Sequence, residues 1–565
     1  MNRSTYGRFA KRPLFLALLG VLPCAAAHAA DPVIPNAGTL LQQTQPVLPL
    51  TPSPNSTGLN VVQPPSAPLP STIAFSVERI DITGNTHIDT ATLHALVADS
   101  EGKQLTLADL GDLALRITDY YHAHGYPLAR AIVPAQTMQG GQVRIEVIEA
   151  RFGKIGLDNQ SRVRDGLLQA TLGGLQSGAV VTEAAMDRSL LLLSDIPGVR
   201  INATLKPGAQ VGTSDLQVVA SSAPMVAGGV SADNWGERYS GRPRLSATVS
   251  VFNPLHQGDE FNVSGVTSGA DMNYGRVAYD ALLSGAGTRA GAAFSALDYR
   301  LAGTLSPLGA HGTAQVVSAW VKQPLLRSRT VNLYAHLQYD HFTLNDSIDA
   351  NATATDRHLD NVTATLTGDV RDGLLAGAAS SWSASWTYGH TSFTNDAAQT
   401  LDALGRDTQG GFSKLSLSAM RLQDFGGGNQ LFVSLSGQFA SGNLDSSQQL
   451  IAGGPTSVRA YDVNAVAGDS GATFTMELRH TMAHAWFGQW QAIAFVDAAH
   501  VKINRNSFEA GSNIANLGGV GVGLNWAGPY RTTASASVAT PLGGRPEVAG
   551  NTASVRAWLQ LAKAF

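Results

Sequence analysis

At 565 residues the chain exceeds what one ordinary hydrophobic core encloses, so two or more domains are expected. Charged residues make up only 14% of it, glycine numbers 59, and mean hydropathy is zero, a balance foreign to a soluble enzyme of this size and natural to barrel strands that alternate apolar with small polar residues. The formal net charge of −4 excludes bulk attraction to nucleic acid.

Residues 1–30 read as a signal peptide. Arg3, Arg8, Lys11 and Arg12 form the basic region, Leu14 to Leu22 the apolar stretch, and Ala27-His28-Ala29 the cleavage pattern. The single cysteine, Cys24, lies inside it, so the mature chain is expected to have no disulfide and no Cys-ligated metal. Beyond this segment no run approaches 18 apolar residues, which excludes membrane-spanning helices and leaves a closed barrel as the only way to cross a bilayer. Residues 31–72 hold ten of the 25 prolines and read as an extended tether, with Thr39 to Gln45 making a turn or two of helix before Pro46.

Residues 73–149 predict the order β-α-α-β-β: a strand over Phe75 to Ile82, helices over Asp89 to Val97 and Leu107 to His124, and strands over Ala129 to Pro134 and Gln142 to Ile148. In the second helix Leu107, Leu110, Leu113, Leu115, Ile117 and Tyr121 crowd one side, and Gly125 closes it. The design recurs over residues 150–221, with helices at Arg162 to Ala170 and Glu183 to Leu193 and strands at Arg200 to Leu205 and Leu216 to Ala220. Small α+β units of this kind leave an open sheet edge able to accept an extended peptide.

From 222 to 565 the period becomes two. Val331, Leu333, Ala335, Leu337 and Tyr339 alternate with Asn332, Tyr334, His336 and Gln338, and Leu431, Val433 and Leu435 oppose Ser434, Ser436 and Gln438. Trp382, Trp386 and Tyr388 share a face, as the lipid interface favours. At roughly 20 residues per strand and connection, the region holds on the order of 16 antiparallel strands, an even number as bacterial barrels require.

Residues spread over nearly the whole mature chain carry a resemblance to a known family. They are Gly125-Tyr126, Ala129-Arg130, Pro134, Gln136 and Gly141 in the first small domain, then Leu190 to Asp195, Pro197-Gly198, Pro207-Gly208 and Asp215-Leu216 in the second. Asp233-Asn234-Trp235-Gly236, Tyr239-Ser240-Gly241, Asn253-Pro254-Leu255 with Gly258-Asp259, and Pro324 to Ser328 continue the series into the barrel. In their order and spacing they resemble the outer-membrane transporter of bacterial two-partner secretion, the haemolysin secretion and activation family of the barrel-assembly superfamily. The resemblance implies two periplasmic POTRA (polypeptide-transport-associated) domains before the barrel. It also implies one dedicated secreted partner exoprotein, recognised through its amino-terminal secretion domain and passed unfolded through the pore without ATP. No cofactor or metal and no enzymatic step is expected.

The superfamily's loop motif is Val-Arg-Gly-Tyr, and Val458-Arg459-Ala460-Tyr461 carries alanine in place of glycine within a loop over residues 453–471. The resemblance places this loop inside the barrel, with Arg459 paired to an inward aspartate for which Asp497 is the candidate. Strand alternation agrees: Phe495 and Asp497 share one face and Val496 the other, and a carboxylate facing lipid is penalised, so Asp497 points to the lumen and attracts the planar guanidinium fork. Phe565, in phase with Ala557, Leu559 and Leu561, resembles the terminal signal read by the barrel-assembly machinery. Two other functions share parts of the pattern: a barrel-assembly insertase and a passive porin.

Three motifs are set aside. Gly468-Asp469-Ser470-Gly471 and Ala498-Ala499-His500 echo serine proteases in the wrong order, and Gly468 and Asp469 read as a turn. His480 and His484 have helical metal spacing but lie in a strand pattern, where four residues span about 13 Å.

Overall fold

The computed structural model describes residues 34–44, 55–61, 73–138, 140–482, 487–508, 511–544, 546–550 and 553–565. The expected signal peptide with Cys24, much of the Pro-rich stretch and His484 lie outside the described residues. Two described pieces of the 31–72 stretch are not free tether. One is a helix, α1 (Ala37–Thr44), the other a short strand, β1 (Leu59–Val61), and both owe their order to distant parts of the chain.

The first small unit comprises β2 (Ala74–Val77), β3 (Arg79–Thr83), α2 (Thr90–Ala95), β4 (Lys103–Thr106), α3 (Leu107–Ala123), β5 (Arg130–Ile132) and β6 (Gln142–Ile148), with the sheet order β3-β6-β5. Thr106 starts α3 through a capping box with Asp109. Leu110, Leu113, Ile117 and Tyr121 face the core, whereas Leu115, expected among them, is 55% exposed because the 3.6-residue period carries it off that face. The short β4, which sequence reading missed, pairs with β2.

The second unit has β7 (Arg151–Gln160), α4 (Asp165–Leu172), α5 (Glu183–Ser194), β8 (Val199–Pro207) and β9 (Thr213–Ser222). Its sheet order is β1-β8-β9-β7, so of the two sides of the β8-β9-β7 sheet the β8 side is covered by β1, which runs parallel to it with Leu59 opposite Ala203 and Val61 opposite Leu205. Leu59 packs on the unit's own core, which stabilises a three-residue strand too short to persist alone.

A closed antiparallel barrel of 16 strands follows. Its first strands are β10 (Val226–Asp233), β11 (Arg244–Phe252), β12 (Glu260–Thr267), β13 (Met272–Leu282), β14 (Arg289–Arg300), β15 (Ala310–Arg327), β16 (Val331–Ile348), β17 (Thr353–Asp372) and β18 (Ala378–Phe393). A surface helix α6 (Asp396–Leu404) precedes β19 (Gly410–Gly426) and β20 (Asn429–Ala440). The loop 441–469, with its own hairpin β21 (Leu450–Ala452) and β22 (Val466–Gly468), leads to β23 (Ser470–Thr481), β24 (Gln489–Lys502), β25 (Ile514–Ala527), β26 (Thr532–Pro541) and β27 (Arg556–Ala564). Pairing of β10 with β27 over Gly229–Asp233 closes the cylinder.

The period-two faces fall as the alternation predicts. Leu337, Tyr339, Val362, Leu366, Trp386 and Tyr388 form an exposed outer band, while Tyr334, His336 and Gln338 line the lumen. From Val331 to Tyr339 that band runs about 26 Å along the strand, enough for a tilted strand to cross the hydrocarbon layer of an outer membrane. Above Tyr339 the outer face turns polar (His341, Thr343, Asn345), so the long strands β15 to β18 rise beyond the bilayer.

The second unit docks on the opposite mouth. Arg327, fully buried at the end of β15, bonds both carboxylate oxygens of Asp195 at 2.7 and 2.8 Å, and Arg329 bonds Asp187 at 2.7 Å. Burial still pushes the Asp187 carboxyl above its ordinary value, with Arg329 opposing. Two stretches that the resemblance draws from separate domains thus meet in one ion pair, which fixes α5 beside the pore entrance.

Candidate functional site

The loop 441–469 leaves the rim after β20, enters the lumen and returns at β23, because its tip is apolar and needs a dry surface. Val458, Ala460 and Tyr461 are fully buried against Phe495, Leu517 and Ala539 of the wall. Burying these side chains stabilises the inserted position by about 1.5 to 3 kcal/mol for each large one.

Within that apolar seat lies the charge. Asp497 on β24 is wholly buried and receives the Arg459 backbone N–H at 3.1 Å, Nε at 2.9 Å, Nη2 at 2.8 Å and the Thr475 hydroxyl at 3.0 Å. The remaining Arg459 nitrogen, Nη1, donates to Glu477 at 2.6 Å, and Glu477 in turn accepts from Arg479 at 2.6 Å. The guanidinium carbon stands 3.4 Å from the centroid of the Phe495 ring, so Phe495 supports the cation from below. Val496, between the two, points away from the lumen. The Arg459 carbonyl accepts from the Trp558 indole at 2.7 Å.

Ala460 does not adopt a positive φ, so alanine costs no backbone strain here. Its methyl is accommodated by the opposite wall: a Cβ placed on Gly519 would stand 2.8 Å from that of Ala460. Gly519, Gly521 and Gly523 alternate along β25 on the same inward face, leaving room for the loop tip and for the Phe495 ring, which lies over Gly521. This glycine stripe, Glu477 and Arg479 all escaped sequence reading. The run Gly-Gly-Val-Gly-Val-Gly at 518–523 was the available signal, since glycine at every second strand position marks a close approach.

A second anchor follows the tip. Asp462 pairs with Arg556 of β27, with Nη2 at 2.8 Å, and with Arg242 of the first hairpin at 2.9 Å. Nearby, the Glu237 carboxyl is pushed up to about 7 by burial, although the Tyr239 and Ser240 amides donate to it.

The lumen holds a second obstruction. Helix α1 sits inside the barrel with Ala37, Leu40 and Leu41 fully buried among Leu297, Phe342, Leu344 and Phe412. Below it lies a cavity of about 1200 Å³ with mixed polar and apolar walls that reaches from Gln42 past Tyr274, His336 and Thr365 to Asp195 and Ile196 of the second unit. A continuous path from the docked small domain toward the far rim is therefore blocked twice, by α1 and by the loop.

Other sequence candidates fall elsewhere. Asp469 is no simple turn residue: it is fully buried and accepts from Leu444 N, Gln449 and Arg505 N, tying both legs of the loop to the rim. Ser470 accepts from Ala440 N, His500 bonds Asn516 on the exposed face, and His480 bonds Asn429. Phe565 exchanges backbone hydrogen bonds with Gly228 across the barrel closure, its ring lying over that glycine.

A closed barrel of 16 strands with a loop inserted in its lumen, preceded by two small α+β domains, defines an outer-membrane transporter with periplasmic domains. The comparisons give the family. Residues 75–150 match the model of the ShlB-type POTRA domain, and residues 212–526 match that of the haemolysin secretion/activation protein ShlB/FhaC/HecB, so the chain belongs to this family of two-partner secretion transporters. It is 26% identical over 500 residues to the heme/hemopexin transporter protein HuxB of Haemophilus influenzae, covering 87% of this chain and 88% of that one. It is 22% identical over 468 residues to the outer membrane transporter CdiB of Dickeya dadantii, covering 80% of each. Among solved structures, CdiB from Escherichia coli superposes with a TM-score of 0.69 at 21% identity over 89% of this chain and 93% of that one.

Proposed function

We propose that the protein moves one dedicated exoprotein across the outer membrane in an extended state, without ATP and without any covalent step. The observation that carries this reading is the pairing of Arg459 with Asp497 in a dry seat: a charge pair of that kind holds a loop firmly in one place and releases it as a unit. The exoprotein's secretion domain binds the periplasmic units at the β8 edge by main-chain pairing, in the place β1 now occupies. Strand β1 and lumenal α1 are consecutive elements joined through residues 45–58, so strand exchange at the sheet acts on the plug through this link. Folding of the exoprotein outside supplies the direction.

Phe565, with the apolar outer residues Leu559 and Leu561, serves the barrel-assembly machinery during insertion, and the aromatic band at Tyr339, Trp386 and Tyr388 seats the barrel among outer-membrane lipids. The likeness to a transporter named for heme and hemopexin makes a haem-related surface protein the client class to try first.

The test is depletion followed by a quantitative outer-membrane and secreted proteome. Loss of one secreted protein supports the reading, whereas loss of many barrel proteins would mean an insertase. In the same cells Arg459→Ala and Asp497→Ala are expected to abolish secretion while barrels still reach the membrane. Normal secretion by both would refute the gating role.

A further inference from the structure

The two obstructions in the lumen meet at one arginine. Arg357 of β17 is buried on all sides; its Nη1 bonds Asp346 of β16 at 2.6 Å, its Nε bonds Asp445 of the loop at 2.5 Å, and its Nη2 reaches the Ser446 hydroxyl at 3.3 Å. The other oxygen of Asp346 accepts the first backbone N–H of α1, from Ala37, at 2.7 Å, and the Tyr299 hydroxyl at 2.6 Å. The flank of the helix rests on the loop itself: Ser446 donates to Asn36 at 2.8 Å, and Gln42 donates to the Ser446 carbonyl at 2.6 Å. At Gly38 the helix lies so close that a Cβ would overlap Ser446 Oγ and Ser447 N. Lys414 and Gln438 hold the Gln448 carbonyl one turn further, at 2.9 and 3.0 Å.

The rising leg of the loop, residues 445–448, therefore forms half of the seat of α1, and the wall residue Asp346 forms the other half. Arg357 is the only group among the described residues that bonds both halves. Each of its two carboxylates would be left buried without this partner if it were released, and each holds a different moving part. A helix and a loop that share a seat in this way cannot have independent equilibria, because displacing either removes bonding partners of the other.

We propose that Arg357 is the positioning residue that couples the plug helix to the inserted loop, so that the two leave the lumen as one gate. The loop's tip lock at Arg459 and the seat of α1 are then two ends of one equilibrium. This goes beyond the transport reading and is tested in purified protein with no exoprotein present, so either can fail without the other.

The experiment is hydrogen exchange of the full chain in lipid nanodiscs, read on the amides of 37–44 and of 445–461. Ala37→Pro touches only the plug: proline suits the first helical position but removes the N–H held by Asp346. It is expected to lower protection of the loop leg 445–449 at least threefold. Arg459→Ala touches only the loop tip and is expected to lower protection of α1 at least tenfold. In Arg357→Met these cross-effects are expected to fall at least threefold, to what the direct contacts of Ser446 with Asn36 and Gln42 carry. Should Arg357→Met fail to assemble, Arg357→Lys, which keeps the charge without the fork, reads out the same loss of cross-effect. Unchanged α1 protection in Arg459→Ala, or cross-effects that persist undiminished in the Arg357 variants, would overturn the proposal.

Discussion

Replacing Arg459 by alanine is the sharpest probe of the tip. The substitution removes the Nε and Nη2 bonds to Asp497, the Nη1 bond to Glu477 and the cation over Phe495, yet leaves Asp497 fully buried with only the Thr475 hydroxyl and one backbone N–H as donors. Breaking one member out of a buried pair costs about 3 to 5 kcal/mol, which corresponds to roughly two to four powers of ten in the ratio of displaced to inserted loop. Amide exchange over 456–461 in the reconstituted barrel measures that ratio directly and is expected to accelerate by this factor. Arg459→Lys, which keeps the charge but cannot reach both carboxylate oxygens with a planar fork, is expected to fall between wild type and alanine. An acceleration below tenfold in Arg459→Ala would mean that water already screens the pair, and the reasoning from a desolvated lock would be wrong.

Gly519→Ala is expected to destabilise the inserted loop by about 1 to 3 kcal/mol, because its methyl would strike that of Ala460; Ala460→Gly in the same chain should restore the loss, measured by the same exchange. Deletion of Leu59–Val61 uncovers the β8 edge and should tighten binding of the exoprotein's secretion domain about tenfold in a direct titration; weaker binding would show that β1 is no competitor. In the first small unit, Glu149 is buried, which by itself raises its pKa, but hydrogen bonds from Thr86 and His87 outweigh burial and hold it at about 2. A carboxyl lowered from 4.5 to about 2 contributes about 3 kcal/mol that is fully present above pH 4.5 and lost as pH falls toward 2. Glu149→Gln should therefore exchange faster than wild type over α3 and β6 at pH 7, and the difference should close across that acidic window.

The secondary structure of the barrel was legible because each strand faces two solvents. Val331 to Tyr339 shows the alternation residue by residue and Leu431 to Phe439 shows it apart from Phe432 and Gly437, and it places Tyr334, His336 and Gln438 inside without any knowledge of partners. Asp497 could be placed for the same reason, as a charge in an otherwise apolar strand, and Arg459 followed from the family motif. Leu115 and the short β4 were missed within an otherwise readable unit, since helical phase drifts and a four-residue strand has too little pattern of its own.

What the sequence determined by itself was therefore the local grammar: a barrel of period-two strands, paired small domains before it, and a loop whose arginine needs an acid. Tertiary structure alone decided who meets whom. Leu59–Val61 becomes a strand only because β8 offers a free ladder, eight residues of α1 become a plug only because closure surrounds them with Leu297, Phe342 and Phe412, and Arg357 becomes a junction only because Asp346 and Asp445, 99 positions apart, arrive on either side of it. The physical reason is that alternation reports the solvent on each face of a strand, whereas hydrogen bonds and ion pairs across a lumen depend on how the cylinder closes, which no short window of residues encodes.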